Sequence, residues 1–118
     1  MSKNDGFKVT RRDDGRLTII YPQGFLDAHT APEFESELQK AINAGRIHLI
    51  VNCKDLDYIS SAGLGVFMGS IETVRDLGGD IKISNLVPKV YHVFELLGFH
   101  QLYDLTSTEE EAAGKFAG

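Results

Sequence analysis

At 118 residues and 13.0 kDa the chain has room for one domain around one hydrophobic core, residues 1–118 with the packed part at about 7–105, and not for a multidomain enzyme. Seventeen acidic against twelve basic side chains give a net charge of −5, which opposes phosphate backbones and anionic lipid and argues against nucleic acid and membrane partners. The lone Cys53 rules out an internal disulfide, and no Cys or His cluster has metal-ligand spacing, so the expectation is no metal, no cofactor and a cytoplasmic setting.

Along the chain, Phe7 to Arg11 and Leu17 to Tyr21 read as two strands joined through Asp13-Asp14-Gly15, a hairpin. Thr30-Ala31-Pro32-Glu33 reads as a threonine cap with a proline in the first turn, and Phe34, Leu38, Ala41 and Ile42 repeat at helical spacing until Gly45. Ile47 to Val51 is apolar throughout, as a strand covered on both faces would be. Leu64, Phe67, Met68, Ile71 and Val74 form one stripe of a helix over 61–77, closed by Gly78-Gly79. Asp80 to Ser84 alternates as a strand. A third helix with Val87, Val90, Tyr91, Phe94 and Leu97 on one side opens at Pro88 and closes at Gly98, and a last short strand is expected at Leu102 to Leu105. From Thr106 onward the chain reads as a polar tail or short frayed helix, with Glu109-Glu110-Glu111 as its solvated start.

This order, β-β-α-β-α-β-α-β, predicts an α/β domain with a mixed, mainly parallel sheet, an opening hairpin and three to four helices. The segment Asp55-Leu56-Asp57-Tyr58-Ile59-Ser60-Ser61-Ala62-Gly63-Leu64-Gly65, between the apolar strand and the second helix, is its most unusual part. Ser60 and Ser61 fall where that helix begins, a place that suits either a capping hydroxyl or a phosphate. Gly63, Gly65 and Gly69 each cost a helix roughly 1 kcal/mol relative to alanine. Their spacing fits close packing on the domain's own sheet as well as a groove for a partner. Asp55 and Asp57 make a weak metal signal, and solvation in a loop explains them better. The four histidines share no helical face, the Gly-x-Ser-x-Gly pattern of a serine hydrolase is missing, and no phosphate-binding glycine loop is present, so an enzyme is not expected.

Tyr58 to Val66, reading Tyr-Ile-Ser-Ser-Ala-Gly-Leu-Gly-Val, resembles the signature of STAS domains of the bacterial anti-sigma factor antagonist family. Gly24-Phe25-Leu26-Asp27, followed by Pro32-Glu33-Phe34, is similar to the family's element before the first helix, and the order of elements agrees along nearly the whole chain. The resemblance implies a single STAS-like domain acting in partner switching. The unmodified antagonist would bind an anti-sigma factor serine kinase of the GHKL type and so free a sigma factor for transcription. Phosphorylation would end that binding, and a PP2C-type phosphatase would restore it.

It also places the phosphorylated serine on Ser61 and the partner-binding set on Asp27, Ser60, Ser61, Ala62, Gly63, Leu64 and Gly65. Ser60 stands where the family usually carries aspartate. Asp27 reads by itself as a turn or cap residue; by the resemblance it lies near the acceptor hydroxyl. The alternative outcome is a STAS scaffold or small-ligand domain that is never phosphorylated.

Overall fold

Lys8–Asp14 (β1) and Leu17–Leu26 (β2) pair antiparallel across a two-residue turn at Gly15 and Arg16, in which Gly15 supplies a positive φ of 62°. The computed structural model describes residues 6–116, and this hairpin forms one edge of its sheet.

After β2 come α1 (Ala31–Asn43), β3 (His48–Asn52), β4 (Leu56–Ile59), α2 (Ser61–Asp76), β5 (Asp80–Ser84), α3 (Pro88–Leu96), α4 (Phe99–Leu102), β6 (Leu105–Thr106) and α5 (Glu109–Phe116). The main path of the sheet is β1-β2-β3-β5-β6, antiparallel only at the hairpin. The mixed, mainly parallel sheet expected from the alternating elements is therefore present, with β3 at its centre. Leu49, Val51, Ile81 and Ile83 turn one face of the sheet into the main core, where Phe34 of α1, Phe67 of α2 and Phe94 of α3 meet in tilted and edge-to-face contacts.

Several boundaries differ from the periodicity reading. Leu102 lies in α4, and the last strand is only Leu105–Thr106, because Phe99 turns inward against Phe94 and carries the chain through one more helical turn. The helices number five among the described residues, not three to four. Met68, Tyr91 and Leu97, assigned to apolar stripes, face outward, while Val66 and Ser70 are buried in their place on α2. The side chain of Thr30 does not cap α1: its hydroxyl donates to the Phe25 carbonyl at 2.8 Å.

The region beyond 105 is more than a polar tail. Helix α5 lies on the second face of the sheet, where Ala112 packs with Ile19 and Ile50. Glu109, read as solvated, accepts from Tyr21 (2.8 Å) and Asn52 (3.1 Å) and pairs with Arg12. On the same face the almost fully buried Lys82 is paired with Asp80 and Asp104 and lies 4.6 Å from the Phe116 ring centre.

Candidate functional site

Strand β2 has ten residues and serves two neighbours on one side. Leu17 to Ile20 pair with β3 and Gly24 to Leu26 pair with β4, both parallel. Strand β4 was read as loop because its four residues do not alternate: Leu56 and Ile59 are buried while Asp57 and Tyr58 between them are exposed. The break between β3 and β4 is held by Cys53, whose N–H donates to the Ser84 carbonyl, and whose thiol burial drives its pKa up and leaves inert.

The register across β2 and β4 builds the site. The Gly24 N–H donates to the Asp55 carbonyl (2.9 Å) and the Ser60 N–H to the Leu26 carbonyl (2.8 Å). Asp27 and the start of α2 therefore leave the same end of the sheet side by side. Gly24 has φ 104°, and a Cβ there would run into the backbone carbonyl of Gly6, so glycine is required.

Asp27 Oδ1 accepts from the N–H groups of His29 (2.9 Å) and Thr30 (3.2 Å). Desolvation works against the ionised carboxyl, but these bonds outweigh it and hold Asp27 below the usual carboxylate range. The turn role is thus realised, with Asp27 only half-buried beside the head of α2.

The two serines have different surroundings. Ser60 is the N-cap of α2, extended at φ −100° and ψ 176°, and its hydroxyl accepts from the Gly63 N–H at 3.5 Å. Ser61 is the first helical residue, exposed, and its hydroxyl makes no hydrogen bond to any described residue.

The glycines divide in the same way. At Gly63 a Cβ would lie 2.8 Å from Leu26 Cγ and 2.9 Å from Ile59 Cγ1, so this glycine lets α2 sit down on β2 and β4. At Gly65 and Gly69 nothing lies within 4 Å, and both are exposed. The packing reading of the glycine spacing therefore applies at Gly63, while Gly65 and Gly69 leave open space on the outer side of α2. Ser61, Gly65, Met68, Gly69 and Glu72 form a continuous exposed face on α2 that is uncharged over its first nine residues.

Of the residues named from the motif, Ser61 and Gly65 are exposed, and Asp27, Ser60 and Ala62 are half-buried. Gly63 and Leu64 are buried in the core, where they position the helix. The motif did not reveal Phe25 and Tyr58, which face each other across β2 and β4 with ring centres 5.6 Å apart. Their only sequence signal is an aromatic residue in each of the two motif segments. Next to them Asp27, Thr30, Asp57, Gly24 and Phe25 line an open recess of about 350 Å³.

The STAS domain family model matches residues 8–112. The chain is 34% identical over 103 residues to BtrV of Bordetella bronchiseptica, covering 87% of this chain and 88% of that one. It is 31% identical over 87 residues to the anti-sigma-B factor antagonist of Bacillus subtilis, covering 74% and 79%. The fold superposes on the anti-sigma factor antagonist SpoIIAA in its unphosphorylated form with a TM-score of 0.80, at 26% identity over 94% of this chain and 97% of that one. SpoIIAA in its phosphorylated form superposes at 0.71, with 24% identity.

Proposed function

The chain belongs to the STAS domain family, and on that footing we propose that it is an anti-sigma factor antagonist whose hold on its partner is switched by phosphorylation of Ser61. The observation that carries the reading is the contrast between adjacent hydroxyls: Ser60 is engaged in capping α2, and Ser61 is exposed and unengaged at the first helical position. Of the two, Ser61 is the more accessible to an incoming γ-phosphoryl group. SpoIIAA, to which the chain is similar, exists in unphosphorylated and phosphorylated forms, which supports a phosphorylation switch in this fold.

The physical chemistry of the switch follows from the position. An anti-sigma factor kinase of the GHKL type would transfer the γ-phosphoryl of ATP to Ser61 Oγ, releasing ADP and the hydroxyl proton. The product carries about −1.5 to −2 charge on three acceptor oxygens, and the free N–H groups and dipole at the head of α2 accommodate it without unfolding the domain. On the face formed by Ser61, Gly65, Met68 and Gly69 there is otherwise no charge, so a partner matched to that face meets an unpaired dianion. Each 1.4 kcal/mol of that penalty is about tenfold in affinity. A PP2C-type phosphatase would remove the group by hydrolysis and restore binding. Such a cycle belongs in the cytoplasm, and among the described residues no helix is long and apolar enough to cross a membrane.

Incubation with an anti-sigma factor kinase and ATP, followed by phosphate mapping by mass spectrometry, tests the assignment. Phosphate on Ser61, its loss in Ser61→Ala and weakened kinase binding by Ser61→Asp are expected. Phosphate confined to another residue refutes the assignment to Ser61, whereas no phosphate together with undiminished binding by Ser61→Asp refutes the switch and favours the unphosphorylated scaffold.

A further inference from the structure

Phe25 and Tyr58 are 57% and 48% exposed, unusual for rings packed together on a sheet whose other face buries three phenylalanines completely. The bulge at Gly24 and Phe25 in the β2–β4 register accompanies this outward placement. Asp57, one residue before Tyr58, is exposed and has no ion-pair or hydrogen-bond partner among the described residues. The recess beside the rings is lined by this carboxylate and that of Asp27, and among the described residues no basic side chain lines it. One oxygen of Asp27 is taken by the turn to α1, which leaves Asp57 as the uncommitted anion.

We propose that the Phe25–Tyr58 ring pair and the Asp57 carboxylate form a docking element that receives an arginine side chain of a protein partner. This rests on the reading of the protein as a partner-binding domain and names a second point of attachment, separate from the Ser61 face of α2. Charge complementarity selects the occupant. An apolar plug would strip water from two carboxylates and give them nothing in return. A guanidinium stacks its plane on an aromatic face while its N–H fork meets a carboxylate, and each contact is stronger once the partner excludes water. Aromatic rings and arginine are also the side chains that most often dominate binding energy at protein interfaces.

The test uses the full chain and a synthetic probe, acetyl-Gly-Arg-Gly-amide, titrated into isotope-labelled protein and followed by amide chemical shifts. Saturating shifts confined to residues 24–27 and 55–59 are expected. The citrulline analogue, isosteric but neutral, should bind about tenfold more weakly, as expected from loss of the ion pair and the cation–π contact. Asp57→Asn, Phe25→Ser and Tyr58→Ser should each weaken the arginine probe several-fold, and all three sites are exposed, so folding is preserved. Equal binding of the citrulline analogue, shifts elsewhere on the surface, or no shifts overturns the docking element. Phosphate transfer to Ser61 is read independently: a chain phosphorylated there that ignores the arginine probe refutes this element alone, and a chain that binds the probe but takes no phosphate refutes only the switch.

Discussion

Alanine substitution along α2 separates the glycine that packs from the glycines that leave space. In Gly63→Ala the new methyl would lie 2.8 Å from Leu26 Cγ and 2.9 Å from Ile59 Cγ1, both on side chains that are buried in the core. Ile59 is β-branched and cannot swing away, so α2 must lift or the core must shift, an overpacking cost of about 1–3 kcal/mol. Helix propensity returns up to about 1 kcal/mol, leaving a net loss of about 1–2 kcal/mol. Gly65→Ala and Gly69→Ala meet nothing within 4 Å, so only the propensity gain remains. They should stabilise the fold by roughly 0.5–1 kcal/mol each. For a domain of this size about 1 kcal/mol moves the melting temperature by roughly 4 °C. Thermal and urea unfolding followed by circular dichroism should therefore show Gly63→Ala falling by about 4–8 °C and the other two rising by about 2–4 °C. The two stabilised variants should also bind the partner less well, since their methyl groups stand on the face that begins at Ser61. A Gly63→Ala protein as stable as the parent, or a loss of stability in both other variants, would refute the division of the glycines.

Further consequences can be measured separately. Ser60→Ala removes the cap of α2 and should cost about 1 kcal/mol in urea unfolding, whereas Ser61→Ala, with no hydrogen bond to lose, should change stability by less than about 0.5 kcal/mol. Glu109→Ala deprives Arg12, Tyr21 and Asn52 of their shared acceptor, and a loss of about 1–2 kcal/mol with faster amide exchange in residues 109–116 is expected. For Asp80 burial disfavours the ionised form, but Arg75 and Lys82 outweigh it and hold the carboxyl below its ordinary value. A depressed folded pKa means stability that is present above the unfolded value of about 3.9 and lost as pH falls through the folded one. Asp80→Asn should therefore be destabilising near neutral pH and progressively less so, relative to the parent, below about pH 4, as measured by urea midpoints across that range.

The elements that announced themselves in the sequence were those with long, regular apolar patterns. Phe34, Leu38, Ala41 and Ile42 predict α1, and Asp80 to Ser84 predicts β5 with its observed ends. Strand β4 did not, because it is short and holds exposed Asp57 and Tyr58 side by side; only pairing with the far half of β2 makes it a strand. Helix α5 looked like a solvated tail since its acidic start is polar in composition. Its anchor depends on Arg12, Tyr21 and Asn52, which lie between 57 and 97 residues away along the chain. The outward turn of Met68 was hidden for a similar reason: an apolar stripe shows which side of a helix is hydrophobic, and neighbouring elements decide how wide that side is.

The amino-acid sequence by itself determined the class of fold, the start of α2 at two serines and the motif that ties the chain to its family. These are local properties, written in residue spacing, capping chemistry and the conformational cost of glycine. Only the tertiary structure decided which hydroxyl is consumed by the cap, which glycine bears the sheet, and that Phe25 and Tyr58 stand together beside Asp57. Each of those depends on the β2–β4 register, through which residues about thirty positions apart become neighbours, and no local preference encodes such a distance.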